Sequence, residues 1–329
     1  MFRSSNIQNG CMDYKDIVRV NKNVKEKLIT KKDDLLVCAR NGSARLIGKN
    51  AILHEADANQ TFGAFMMVFR SDKNHFVHQL LNTRRYTSQV SENLGARINQ
   101  ITSSDLSSFE FFFPTENSEM NKIAALLDLL DERIVTQSKI INKLQSLIKE
   151  IRNDVFGKLR KDIGLNAKVG DVLSYEQPQP YIVEDTEYTA GGTPVLTANK
   201  AFVLGYTSET DGIYDKGDCI IFDDFTLDCK YVDFPFKVKS SAIKILTAKN
   251  KELLRYTFEF LKYLDLSTDE HKRHYIAETQ NQEFILPTTQ IVRTIAHAFS
   301  TLSSRMQTIV KQRDMLELQK QYLLRQMFI

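Results

Sequence analysis

The feature that most constrains this fold is an internal repeat of two long helical segments. Each segment follows a short apolar run that ends in proline. Ile123 and Ile295, near the starts of the two segments, and Phe156 and Phe328, near their ends, stand at the same offset of 172 residues. The segments therefore align without a gap, and such a repeat predicts two copies of one structural plan.

Both segments carry a seam at spacings that alternate between four and three residues, and neither contains proline or glycine before its closing phenylalanine. This heptad pattern, with only Gln137, Arg313 and Lys320 as polar interruptions, is typical of a coiled coil. The seam positions are Ile123, Leu127, Leu130, Ile134, Gln137, Ile141, Leu144, Ile148, Ile151 and Val155, then Ile295, Phe299, Leu302, Met306, Ile309, Arg313, Leu316, Lys320, Leu323 and Met327.

The seam leaves two arrangements for these helices. Each helix could pack into its own domain as core, or the two could pack against each other. A face only two positions wide per heptad suits a partner helix better than a broad core. The matching seams make each helix the natural partner of the other, and a two-fold repeat predicts an antiparallel pair. From Ile123 to Val155 the rise is about 48 Å.

The regions outside the helices predict an α+β protein, with two mixed α/β domains separated by an antiparallel coiled coil. Residues 158–286 alternate strand-like runs and turns, and a helix is predicted at 251–264. Residues 1–113 follow the same plan but lack a counterpart of residues 160–193, so we expect the first domain to be incomplete at its N-terminus. The predicted boundaries are 1–113, 114–157 for the central helix, 158–286, and 287–329 for the C-terminal helix.

Composition excludes several classes of protein. Hydrophobic residues make up 42% and charged residues 26%, as in a soluble globular protein rather than a disordered one. The apolar runs are too short to span a bilayer, and the first residues lack the apolar stretch of a signal peptide. The four cysteines form no CxxC pair, which favours reduced thiols and a cytoplasmic location. A net charge of +3 indicates nucleic acid only if basic residues are concentrated locally.

Residues 119–131 (EMNKIAALLDLLD), which follow the proline-ended run, carry a family resemblance. They resemble the Glu-Gln, Lys-Ile-Ala and Leu-Asp pattern of the specificity subunits of type I restriction–modification systems, with Met120 where glutamine is usual. The second copy keeps mainly Pro287 and Ile295-Ala296. Residues 35–48 and 181–224 also resemble the target-recognition domains of that family, so the resemblance covers essentially the whole chain.

The resemblance implies a non-catalytic subunit that has no cofactor of its own. Its two target-recognition domains would each read one half of a split site in double-stranded DNA, and the helices would set the gap. The same helices would dock two modification subunits, which carry the methylation chemistry, and restriction subunits would join for cleavage. The alternative is a partial specificity chain that acts as an assembly scaffold with one working DNA reader.

A third interpretation, a self-contained nuclease, depends on Asp223, Asp224, Asp228 and Lys230. In metal-dependent nucleases, carboxylates hold magnesium while a lysine assists the attacking water. Here all four fall within eight residues, which favours a polar turn. The histidine pairs of the chain lack a nearby third ligand, so the sequence predicts no metal site.

The candidate DNA contacts are hydrogen-bond donors on predicted loops, where arginine can read guanine and asparagine can read adenine. The strongest group is the glycine-punctuated segment at 40–45. The predicted DNA-contacting residues are Arg40, Asn41, Ser43, Arg45, Arg84, Arg85, Arg97, Gln177, Lys272, Arg273, His274 and Tyr275.

Overall fold

The structure is a computed structural model that describes residues 1–8, 10–94, 99–198, 201–270 and 272–328. It divides into two compact units, of which the first is Met1–Ile140 with Ile309–Ile329 and the second is Ile141–Thr308. Each unit contains sheets, short helices and part of each long helix. The predicted α+β class, with two long helices, is confirmed.

The first unit is built on a three-stranded antiparallel sheet of order β4-β3-β5, with a two-stranded ribbon of β1 and β2. Its elements are β1 (Ile7–Gln8), β2 (Cys11–Met12), β3 (Leu35–Cys38), β4 (Asn50–Ile52), β5 (Met66–Phe69), α1 (Asn74–Leu80), α2 (Arg84–Asn93), α3 (Ser103–Ser108) and the start of α4 (Asn117–Asp162).

Strand β3 forms the centre of this sheet because all four of its residues are apolar and buried. Its two faces supply two separate small cores. Leu35 and Val37 pack with Tyr86 and Val90 of α2, whereas Leu36 and Cys38 pack with Ile7 from β1. The segment between Phe76 and Tyr86 belongs to two short helices, α1 and α2, and Thr83 caps the second by accepting the Tyr86 N–H.

The second unit has a four-stranded antiparallel sheet of order β11-β10-β13-β7, a three-stranded sheet of order β12-β8-β9, and a β14-β6 pair. Its elements are β6 (Ala167–Lys168), α5 (Val169–Val172), β7 (Leu173–Glu176), β8 (Thr193–Leu196), β9 (Val203–Thr207), β10 (Cys219–Asp223), β11 (Cys229–Val232), β12 (Lys237–Val238), β13 (Ile243–Ala248), α6 (Leu253–Leu264), β14 (Glu283–Phe284) and α7 (Thr289–Met327).

The core of the second unit is large and aromatic. Phe156 of α4 is fully buried, with its ring 5.3 Å from that of Tyr256 and 5.5 Å from that of Phe260, both on α6. Ile295 and Phe299 of α7 belong to the same cluster. Sheet, domain helix and both long helices therefore share one continuous core in this unit.

The two long helices pack against each other in the first unit. Leu127 and Leu130 of α4 form an apolar cluster with Leu324 of α7. Ile123 and Phe328 both pack against this cluster, and eight residues further along α4 than Ile123, the carboxylate of Asp131 pairs with Lys320 at 2.6 Å. As the residue number rises along α4, the number of the residue that lies opposite it on α7 falls. The pairing in this unit is therefore antiparallel.

The long helices are continuous because nothing interrupts them. Helix α4 runs for 46 residues and α7 for 39, and neither contains proline. Helix α4 is followed by Gly164, whose φ of +79° lies in the left-handed region that glycine adopts without strain. All twenty predicted seam positions are buried or half-buried.

Two further features bear on the class of protein. None of the helices within the described residues carries an apolar stretch of the length that crossing a bilayer requires. Cys38, Cys219 and Cys229 are buried free thiols, and Cys11 is half-buried. Burial raises the pKa of Cys229 to about 11, so this thiol stays protonated and unreactive.

Candidate nucleic-acid interface

In the first unit, the predicted loop at residues 40–45 leaves the end of β3 with a fixed backbone. The Arg40 guanidinium lies over the ring of Phe65, 5.2 Å from its centre. The Asn41 side-chain oxygen accepts the backbone N–H of Ser43 at 3.0 Å, and its amide donates to the Ser4 hydroxyl at 3.1 Å. Asn41 therefore shapes the loop from within, and its amide is already engaged.

The outer part of this loop presents free surface. Arg45 lies in a short 3-10 helix, Ala44–Leu46, that begins directly after Ser43. Both Ser43 and Arg45 are exposed, and the loop is held from the other side by Asn99, whose amide donates to the Gly42 carbonyl at 3.0 Å. A pinned backbone with exposed guanidinium groups is an arrangement that can read base edges or bind phosphate.

The remaining arginines of the first unit differ in their surroundings. Arg84 is exposed at the start of α2. The Nε of Arg85 donates to the Glu110 carbonyl at 2.7 Å, and its guanidinium lies 4.8 Å from the centre of the Phe112 ring. Arg85 thus anchors the segment that leads into α4. Arg97 lies outside the described residues.

In the second unit, Asp224 organises the predicted segment at 272–275. One carboxylate oxygen of Asp224 accepts the backbone N–H groups of His274 at 3.0 Å and Tyr275 at 2.7 Å. The other oxygen lies 3.6 Å from the Lys244 ammonium and 3.9 Å from the Arg273 guanidinium. A single buried carboxylate therefore holds this loop in place.

The structure corrects the prediction for two side chains of this loop. His274 and Tyr275 are both only 1% exposed. His274 pairs with the Glu278 carboxylate at 2.9 Å, and the ring of Tyr275 packs on Tyr175 and Phe222. Neither side chain reaches the surface, because the loop turns inward to join the core. They support the loop rather than contact DNA.

The other three predicted residues of this unit are exposed, and two of them share one network. Gln177 accepts a hydrogen bond from the Lys244 ammonium at 2.8 Å, and Lys244 in turn pairs with the carboxylate that faces Arg273. Residues almost a hundred positions apart are thereby joined. Lys272 stands nearby in sequence but pairs with Glu270 and Glu278.

Lys244 and Asp224 are the residues that sequence reasoning missed in these roles. Lys244 interrupts the buried apolar part of β13, between Ile243 and Ile245, and its side chain is 2% exposed. Burial lowers the pKa of Lys244, whereas the charge of Asp224 favours the protonated form. A lysine within an apolar strand was the available signal, because such a residue needs a buried partner.

The acidic cluster considered for a nuclease is used structurally. Asp223 accepts the backbone N–H groups of Phe225 and Thr226, each at 2.9 Å. Asp224 is engaged with the 272–275 loop. These contacts agree with the polar-turn interpretation of this segment, since both carboxylates cap backbone groups.

The fold of the chain is similar to that of a protein whose structure has been solved. The chain is similar to the type I restriction–modification system S subunit from M. genitalium, with a TM-score of 0.67 over 100% of this chain and 92% of that chain. The sequence identity is 18%, so this likeness concerns the fold. No family model matches the chain.

The curated relatives are specificity subunits. The chain is 45% identical over 126 residues to the type I restriction enzyme EcoR124I/EcoR124II specificity subunit of Escherichia coli, covering 36% of this chain and 31% of that protein. It is 30% identical over 162 residues to the EcoKI specificity subunit of Escherichia coli strain K12, covering 48% and 34%. The chain spans about a third of the length of these relatives. The resemblance to type I specificity subunits is confirmed.

Proposed function

We propose that this chain is a non-catalytic, sequence-specific DNA-binding subunit of a type I restriction–modification complex. It recognises a bipartite target in double-stranded DNA and docks methyltransferase and restriction subunits. The observation that carries the proposal is the similarity to specificity subunits, joined to an exposed arginine loop in each of the two units. Because the proposed role is to bind DNA, we propose that the protein works in the cytoplasm, where the DNA of the cell lies.

The first proposed reader is the loop that carries Arg40, Ser43 and Arg45, and exposed Arg84 at the start of α2 is a further candidate contact. The second consists of Gln177, Lys272 and Arg273. In the first reader the half-buried Asn41 fixes the backbone, in the second the buried Asp224 does, and the cationic groups of both stay exposed. Guanidinium groups read guanine through two hydrogen bonds, and exposed cations near them bind phosphate.

The proposed docking surface for modification subunits lies on the long helices of the first unit. Six large apolar side chains point to solvent there, although an amphipathic helix ordinarily exposes polar residues. Large exposed apolar patches mark protein interfaces. The residues and their exposed fractions are Leu126 (44%), Leu129 (49%), Ile140 (40%), Met315 (60%), Leu318 (70%) and Tyr322 (61%).

The test of this function is methylation-site sequencing of DNA from cells that express the chain with its modification subunits. A single motif with two defined halves and a fixed gap supports the proposal. One defined half with the other position degenerate supports the scaffold alternative, in which only one unit reads DNA. No sequence-dependent methylation contradicts both.

The non-catalytic assignment has its own test. We expect the purified chain with duplex DNA and magnesium ions to bind without cutting. Cleavage by the chain alone, lost in the variant Asp228→Asn, would instead support the nuclease interpretation.

A further inference from the structure

The inference concerns a polar cluster in the first unit that takes no part in the proposed function. Asp128 and Asp131 stand three residues apart on α4 and share one face of the helix. His78 of α1 faces them. One ligand atom from each of these three residues lies within 4.8 Å of the other two.

His78 is the residue that needs an explanation. It is 4% exposed, and neither ring nitrogen has a hydrogen-bond partner among the described residues. Buried polar side chains in native proteins are satisfied by protein, water or a ligand, because leaving one unpaired costs about 1–3 kcal/mol. A metal ligand is typically a ring nitrogen that accepts no hydrogen bond from the protein and lies beside carboxylates, as His78 does within the described residues.

The neighbouring groups hold the carboxylates in position. The Gln79 amide donates to Asp128 at 2.8 Å and to Asp131 at 3.1 Å. His75 contacts the other oxygen of Asp128 at 2.5 Å. The Lys320 ammonium bonds both oxygens of Asp131, at 2.6 Å and 2.7 Å. Asp128 and Asp131 are each 25% exposed, so an ion can enter from solvent.

We propose that His78, Asp128 and Asp131 form a binding site for a divalent transition-metal ion of the zinc class. One imidazole nitrogen and two carboxylate oxygens suit Zn²⁺, whereas Mg²⁺ prefers oxygen ligands alone. The carboxylates balance the charge of the ion. Bonds of about 2.1 Å require the three ligand atoms to move closer by small rotamer changes.

Lys320 competes with the ion for Asp131. When the metal binds, the ammonium releases at least one carboxylate oxygen, since the same lone pairs serve both. The ion then links α1 directly to α4 within this unit. Its role is structural, because it ties the sheet-bearing part of the unit to the long helix.

The test titrates Zn²⁺ into the full chain by calorimetry. We expect one ion per chain, with X-ray absorption showing nitrogen and oxygen ligands only. Loading with Co²⁺ should give no thiolate charge-transfer band, which separates this site from one that uses Cys11. No saturable binding, or a thiolate band, overturns the proposal.

Variants locate the site. His78→Leu and Asp128→Asn should each weaken zinc binding about 100-fold or more, because loss of an outer-shell partner alone costs 10–100-fold. His297→Gln, which removes an exposed histidine of α7, is the matched control and should bind as the unaltered chain does. If Asp128→Asn folds and binds zinc normally, the assignment is wrong.

Lys320→Met separates a metal site from a merely structural cluster. Removing the competing ammonium should tighten zinc binding by about tenfold or more, since both the competition and the repulsion disappear. Unchanged or weaker binding in this variant contradicts the proposed ligand role of Asp131. Circular dichroism of each variant checks that the helices remain.

Discussion

The two units attach a domain helix to the long helices with opposite arrangements of charge. In the second unit the carboxylate is on the domain helix: Glu259 of α6, 1% exposed, accepts from Arg152 of α4 and from Arg255, each at 2.8 Å. In the first unit the carboxylates are on α4: Asp128 contacts His75 of α1 at 2.5 Å and accepts from the Gln79 amide of α1 at 2.8 Å, while Asp131 pairs with Lys320 of α7.

This difference shows what the repeat preserves. Both units keep a polar contact at the junction of domain helix and long helix, but the residues that make it are not equivalent. In the second unit both Glu259 oxygens have arginine partners. In the first unit the nitrogens of His78 and the side-chain oxygen of Gln79 have no partner within the described residues. In the second unit the Nε of Arg255 also lacks a partner within the described residues, but it is a hydrogen-bond donor, whereas the first unit leaves unpaired groups that can accept.

The largest expected effect is a loss of stability, and it compares the large core of the second unit with the smaller core of the first. Phe156→Ala should destabilise the second unit by about 3–5 kcal/mol, because it leaves a cavity among three aromatic rings. Leu127→Ala in the first unit should cost about 2–3 kcal/mol, since the smaller cluster there collapses more readily. Calorimetric unfolding of both variants measures this. A larger loss from Leu127→Ala would reverse the comparison.

The next effect tests the two ion pairs. Glu259→Gln should cost about 2 kcal/mol, because two arginines that are 12% and 13% exposed lose their counter-charge. Lys320→Met should cost only about 1 kcal/mol, because Asp131 remains hydrated at its exposed edge. Urea unfolding gives both values. Equal losses of stability in the two variants would show that it does not matter which helix carries the carboxylate.

The two proposed DNA readers allow a comparison with effects of similar size on binding. Arg45→Ala and Arg273→Ala should each weaken specific binding by about 1–3 kcal/mol and relax preference in one half of the target only. Binding to a randomised duplex pool, followed by sequencing, measures both. The control is Arg305→Ala, an exposed arginine of α7. Relaxation of both halves by one variant would show that the units do not read independently.

The smallest effect at neutral pH concerns two histidines. The hydrogen bond to Glu278 raises the pKa of His274, so its contribution to stability is present below the ordinary pKa and is lost as pH rises through the raised value. Burial lowers the pKa of His78 to about 4, so its contribution is lost as pH falls from about 6.5 towards 4. NMR titration in metal-free buffer should show these opposite directions.

Glu278→Gln sharpens that measurement. Removing the carboxylate charge should lower the pKa of His274 and leave His78 unchanged. A raised pKa that persists in the variant would mean that the Glu270 carbonyl, 3.3 Å from the other ring nitrogen, is the stronger influence.

Sequence periodicity predicted the long helices well because a seam repeated over many turns leaves few alternatives. Helix α4 spans Asn117–Asp162, against a predicted 114–157, and α6 spans Leu253–Leu264, against 251–264. The loops were harder. Nothing local distinguishes exposed Arg273 from buried His274 beside it, because their positions depend on Asp224, about fifty residues away. The same holds for His78, which has no hydrogen-bond partner in the described part of the chain and faces carboxylates about fifty residues away.

The first unit is assembled from two separated stretches, Met1–Ile140 and Ile309–Ile329, whereas the second is one unbroken stretch from Ile141 to Thr308. During synthesis the second unit has all of its parts before α7 is complete. Leu127, Leu130 and Asp131 must wait with their partners missing until Lys320 and Leu324 leave the ribosome. The second unit can therefore finish folding before the first, although most of the first unit is synthesised earlier. We expect chaperones to bind mainly to this early-made part of the first unit.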